Sequence, residues 1–140
     1  MTRVKIKLDG PKVFSTQITL AVNDMNYGNH MGNDRVLYLA HEARLRFLES
    51  IGANELNCLG QSLIMSDAMI EYRGEGFRGD VVTIDVYLSH QHDYGFDLMY
   101  DMNVADKALA RVKSGLLFFD YEKRKVAKAP EGWTKYVEMV

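Results

Sequence analysis

Apolar and polar residues alternate along 13–22, where Phe14, Thr16, Ile18, Leu20 and Val22 fall on one face. Period two predicts a strand. From Asp34 to Ile51 the period changes to that of a helix, and Gly52 supplies its stop. At 100° per residue, Val36, Leu37, Ala40, Ala43, Phe47, Leu48 and Ile51 form a broad apolar face, with Glu42, Arg46 and Glu49 toward solvent. A helix this apolar should be covered on most sides. Four strand-like runs follow residues 54–60: 61–73, 81–90, 96–104 and 108–120, with a last short piece near Lys125. The turns between the later runs are short enough for hairpins. One strand, one long helix and an antiparallel meander predict a single α+β domain over residues 1–140, the helix packed on a curved sheet of about five strands.

Two charges interrupt the apolar pattern. Arg44 falls inside the apolar face of the helix, where a guanidinium needs a carboxylate or several carbonyls. Strict alternation puts Asp67 on one face with Leu63, Met65 and Met69, which makes it the expected partner of Arg44. Met65, Met69, Phe96 and Leu98 are candidates for the walls of an apolar tunnel.

With 140 residues the chain buries roughly 70% of its unfolded surface and needs no disulfide staples. Its single cysteine, Cys58, excludes a disulfide within the chain and suits a reducing cytoplasm. The beginning MTRVKIKLDG is too polar for a signal peptide, and no apolar run approaches the ~18 residues of a membrane span. The expected location is therefore cytoplasmic, with no membrane partner. A net charge of −2 offers no basic field for nucleic acid.

The candidate chemistry is concentrated in Asp24-Met-Asn-Tyr-Gly-Asn-His-Met-Gly-Asn-Asp34, which opens onto the long helix. Free backbone N–H groups at a helix N-terminus favour negative charge. The plainer reading is a solvated loop with Asn33 or Asp34 as helix cap. Gly74-Glu-Gly-Phe-Arg-Gly79 matches G-x-G-x-x-G by letter, but VVTIDVYL after it reads as a strand, so the glycines mark a turn between strands. His90 and His92 have no third metal ligand near them in sequence, and no metal site is expected. The basic residues Lys123, Arg124, Lys125 and Lys128 read as a solvated strand end, or as a contact for phosphates.

The loop with its helix resembles the hotdog-fold thioesterases of the 4-hydroxybenzoyl-CoA thioesterase-like superfamily. Members carry a D-x-D-x-x-G-H-V-N-N-A-x-Y type segment, then an E-x-A-R or E-A-R stretch and a terminal glycine. Here the matching residues are Asp24, Asn26, Asn29-His30, Asn33, Glu42-Ala43-Arg44 and Gly52. The similarity continues through Tyr72, Gly79-Asp80 and the closing strand, from about residue 14 to 131. Asn26 stands where many members carry a catalytic aspartate, and an amide is neither general base nor carboxylate nucleophile. The plant acyl-ACP thioesterases, a related group, carry D-x-N-x-H and a later E-Y-R-x-E-C. Asp24, Asn26 and His30 match the first with two extra residues. Glu71-Tyr72-Arg73-Gly74-Glu75-Gly76 matches the second, with Gly76 in place of the cysteine.

The resemblance implies a hotdog fold that pairs into a homodimer or homotetramer, with sites between protomers and no cofactor. It implies hydrolysis of an acyl thioester of CoA or of acyl carrier protein. The catalytic candidates are Asp24, Asn26, His30 and Glu75, with Glu75 or Asp24 activating water. Gly32, Asn33 and Asp34 are the candidate oxyanion and substrate-binding residues. A hotdog hydratase using Asp24 and His30 and a non-catalytic acyl-CoA binding module are the competing expectations.

Overall fold

The computed structural model describes residues 2–140. Strand β1 (Lys12–Thr19) leads through a 3-10 turn and the polar loop into α1 (Asn33–Ser50). Then come β2 (Ser62–Tyr72), β3 (Val81–His92), β4 (Gly95–Val104), β5 (Lys107–Asp120), β6 (Lys125–Val126) and α2 (Glu131–Met139). All strand pairs are antiparallel, in the order β1-β3-β4-β5-β2, with the two-residue β6 on the end of β5. The α+β architecture is the one the alternation predicts.

Register explains the core. Val86 lies opposite Tyr100 and Tyr100 opposite Val112, so every second side chain of β3, β4 and β5 points to one face. Ile84, Val86, Leu98, Met102, Val112 and Phe118 on that face are fully buried. α1 covers it through Val36, Leu39, Ala40, Ala43, Phe47 and Leu48. The helix ends where Gly52 takes φ +73, letting the Ala53 N–H reach Leu48 O at 2.8 Å. The short helix α2, which the periodicity reading leaves out, stacks Trp133 on Phe96 with ring centroids 4.1 Å apart.

Several expectations are corrected. β1 ends at Thr19, and Val22 is exposed in the 3-10 turn. Leu37 is not part of the buried face. α1 packs on β1, β3 and β5, leaving the groove toward the edge strand β2 open, with Leu37 and Tyr38 exposed beside it. Phe96 and Leu98 are fully buried core rather than tunnel wall.

The expected pair of Arg44 and Asp67 does not form. A bulge at Ser66 breaks the β2 register, since Met65 opposes Leu116 but Asp67 opposes Gly115. One extra residue reverses the alternation. Leu63 and Met65 keep the helix face, while Asp67 and Met69 turn to the outer face. There Asp67 pairs with Lys113 at 2.5 Å, and this bond holds the Asp67 carboxyl below its usual range.

The outer face carries the chain's first residues. Ile6 is buried there, its N–H donating to Glu71 Oε1 at 2.8 Å and its carbonyl accepting from Arg111 Nη1 at 3.1 Å.

Candidate active site

The polar loop is held by its own side chains. Asn26 Oδ1 accepts from the N–H groups of Gly28 at 2.9 Å and His30 at 3.3 Å, and Asn26 N–H donates to His30 O at 2.8 Å. This is an Asx-type turn, for which asparagine is suited. Asn29 inside it takes φ +62, a left-handed conformation asparagine tolerates.

Asp24 is an anchor. Its Oδ2 accepts from Ala21 N–H at 2.7 Å, and its Oδ1 accepts from Arg35 Nε at 2.9 Å, with Arg35 Nη2 at ion-pair distance, also 2.9 Å. Asp24 is 6% exposed, and its carboxylate oxygens are spent on the entry to α1. Arg35 also lies over the Tyr38 ring at 4.0 Å. Nothing in the residue pattern singled out Arg35, because it reads as an ordinary solvent-side cation of a first helical turn.

The loop is stitched to the 74–79 turn by Met31 N–H donating to Gly76 O at 2.7 Å. That turn lies tight against the core. A Cβ on Gly74 would sit 2.3 Å from Ala108 O, and one on Gly76 2.8 Å from Leu20 Cδ1 and 3.3 Å from Met31 Cβ. The stitch brings Glu75 Oε2 to 3.3 Å from His30 Nδ1, an ion-pair distance without the alignment of a hydrogen bond. The His30 ring also leans on Phe77 at 5.2 Å.

His30 and Glu75 line a cavity of about 290 Å³, with Asn26, Asn33, Val36 and Tyr72 around it. The N-terminus of α1 opens into it. The Gly32 amide is already committed to Asp24 O at 2.9 Å, which removes it from the oxyanion candidates. Gly32 is the helix N-cap, with no side-chain cap, and Asn33 and Asp34 are the first helical residues rather than the cap. Their amides belong to the first turn, which has no intrahelical partners. Tyr72 closes the wall by donating to Asn33 O at 3.1 Å. The structure thus groups Asn26, His30, Asn33 and Glu75, and sets Asp24 behind them as support. Asp34 is exposed at the helix start.

Arg44 lies about three helical turns beyond Asn33, 5% exposed. Its Nη1 donates to Tyr100 Oη at 3.2 Å and Ser114 Oγ at 3.4 Å, and Nη2 is 4.0 Å from Glu55 Oε2. Burial pushes the Tyr100 hydroxyl up, against the lowering pull of Arg44, so its partner there is a neutral phenol. Glu55 bonds His41 Nε2 at 2.7 Å through its other oxygen.

This architecture, one long helix against a curved antiparallel sheet, is the hotdog fold. A 1,4-dihydroxy-2-naphthoyl-CoA thioesterase from Synechocystis matches it with a TM-score of 0.80 at 19% identity, over 89% of this chain and 94% of the other. A Staphylococcus aureus protein solved in complex with CoA gives 0.83 at 18% identity, over 96% and 87%. A gentisyl-coenzyme A thioesterase gives 0.77 at 15% identity, over 86% and 99%. No curated protein matches the chain by sequence. The sequence model of the thioesterase-like superfamily matches residues 20–136, and the chain belongs to that superfamily. Among the described residues no helix is long and apolar enough to cross a membrane.

Proposed function

We propose that the protein hydrolyses an acyl-CoA thioester with water activated by Glu75. The observation that carries this reading is the 3.3 Å approach of Glu75 Oε2 to His30 Nδ1 on a cavity that also receives the N-terminus of α1. Glu75 takes a proton from water, and the hydroxide adds to the thioester carbonyl. The oxyanion forms against the Asn33 amide at the head of the helix, a type of donor typically worth ~10²–10³ in rate. The C–S bond then breaks, and Glu75 returns the proton to the leaving thiolate. His30 orients the water, and Asn26 holds His30 through the loop. The superfamily and the fold neighbours, among them thioesterases of CoA esters and a CoA complex, support this chemistry.

The protein assembles as a homodimer or homotetramer in this reading. The sheet ends at β2, with Met65 and Tyr72 exposed on it and Leu37 and Tyr38 exposed on α1 nearby. Sedimentation at micromolar concentration should give a species larger than 16 kDa. A free monomer at that concentration would remove the shared site. The activity itself is tested by thiol release over a panel of acyl-CoA esters. CoA release that disappears in Glu75→Gln supports the assignment. Hydration of a trans-2-enoyl-CoA without free thiol would make the protein a hydratase, and tight binding with no turnover over hours would make it a binding module.

A further inference from the structure

We propose that the groove between α1 and β2 is the acyl channel of this site and that Arg44 closes its far end as a carboxylate receptor. The acyl group then carries a second carboxylate at its distal end. This rests on the thioester reading above and adds the substrate class to it.

Between α1 and β2 lies a second cavity of about 230 Å³, lined by Leu37, Ala40, His41, Arg44, Met65 and Ser114. It lies beside the first along the same two elements. Val36 lines one and Ala40, a turn later, the other, while β2 contributes Tyr72 to one and Met65 to the other. From Asn33 to Arg44 the helix rises roughly 16 Å, and the arginine side chain leans back toward the helix N-terminus. A thioester carbonyl at Asn33 would therefore bring the end of a medium-length acyl chain to the guanidinium.

The second cavity is apolar along its sides and cationic at one point. No carboxylate lines it. Arg44 Nε is buried with no hydrogen-bond partner, and Nη2 has only Glu55 at 4.0 Å, a carboxylate already bonded to His41. Nη1 alone is satisfied, by two neutral hydroxyls. The guanidinium thus leaves Nε unpartnered and Nη2 with only a long ion pair, the edge that takes a carboxylate through two parallel N–H···O bonds. An alkyl terminus would leave those donors unpaired, and a neutral hydroxyl would leave the charge unmatched.

The test uses two CoA thioethers that cannot be hydrolysed, S-(7-carboxyheptyl)-CoA and S-octyl-CoA, titrated calorimetrically into the full chain. The carboxylate analogue should bind at least about tenfold more tightly, the scale of one charge-assisted hydrogen bond. Arg44→Met should abolish the difference while keeping octyl-CoA affinity. Leu37→Asp, at the exposed mouth, should abolish it too without touching the buried guanidinium. Equal or weaker binding of the carboxylate analogue overturns the proposal, and is also the result if a second copy of the chain fills the cavity. A preference that survives in Arg44→Met overturns it as well. Thiol release from suberoyl-CoA and octanoyl-CoA is read separately. Preference without release keeps the receptor and removes the hydrolase, whereas release without preference does the reverse.

Discussion

Asp24 and Glu75 can be separated by replacing each with its amide, because the structure gives them opposite consequences. Asp24→Asn removes the charge that accepts the Arg35 Nε bond and pairs with Nη2, both at 2.9 Å, and puts an NH₂ where either Arg35 or the Ala21 N–H needs an acceptor. Charge-assisted bonds of this kind are worth ~1.5–3 kcal/mol and a cap ~1 kcal/mol. Arg35 has a side chain 21% exposed and regains some solvation, so the net cost is about 2–4 kcal/mol. For a domain of this size that lowers the melting temperature by roughly 6–15 °C. Glu75, with a side chain 66% exposed, should change stability by less than ~0.5 kcal/mol when replaced by glutamine. Turnover should behave the other way. Glu75→Gln should lose about a hundredfold or more of kcat, as expected for a general base, and Asp24→Asn should keep kcat per folded molecule within about tenfold. Thermal unfolding and thiol release on the same preparations give both numbers. Asp24→Asn that melts like the wild type but does not turn over would make Asp24 the base and refute the assignment.

Arg44→Met should leave the melting temperature within a few degrees of wild type, because it strands no acid: Glu55 keeps His41, and methionine fills a comparable volume. A loss of ~3–5 kcal/mol would show that Arg44 is instead a tightly paired structural ion. Gly74→Ala places a Cβ 2.3 Å from Ala108 O, so the turn must move. kcat should fall at least about tenfold by displacement of Glu75, and unchanged kinetics would count against the 3.3 Å approach. Burial pushes the Cys58 thiol up from its usual 9.0 to about 12. Its contribution to stability is therefore intact below about pH 9 and lost as pH rises toward 12, while alkylation at pH 8 should proceed only as fast as the protein opens. Rapid labelling of the native protein would contradict its burial.

The strands and α1 are legible because period two and period 3.6 are imposed directly by burial on one face. The bulge is not. Ser66 is one residue among alternating ones, and nothing in its chemistry announces that Asp67 will turn outward to Lys113. Asp24 was legible as an important residue, but its role depends on Arg35, eleven positions on, folding back over the loop. The resemblance nominates His30 and Glu75 for one site, but their 3.3 Å approach and the Met31–Gly76 hydrogen bond that causes it appear only in three dimensions. α2 did leave a signal: Pro130 followed by Trp133, Tyr136 and Val137 at helical spacing is a helix start with an apolar stripe.

The Ser66 bulge has a consequence for how β2 can grow. A flat edge strand offers an unbroken row of donors and acceptors that any extended chain can continue, and repeated addition of that kind makes fibrils. The row on β2 is interrupted in its first half, between Met65 and Asp67. A second strand laid there must match the interruption or lose bonds on one side of it. The irregularity that moves one aspartate therefore also blunts this edge against open-ended polymerisation.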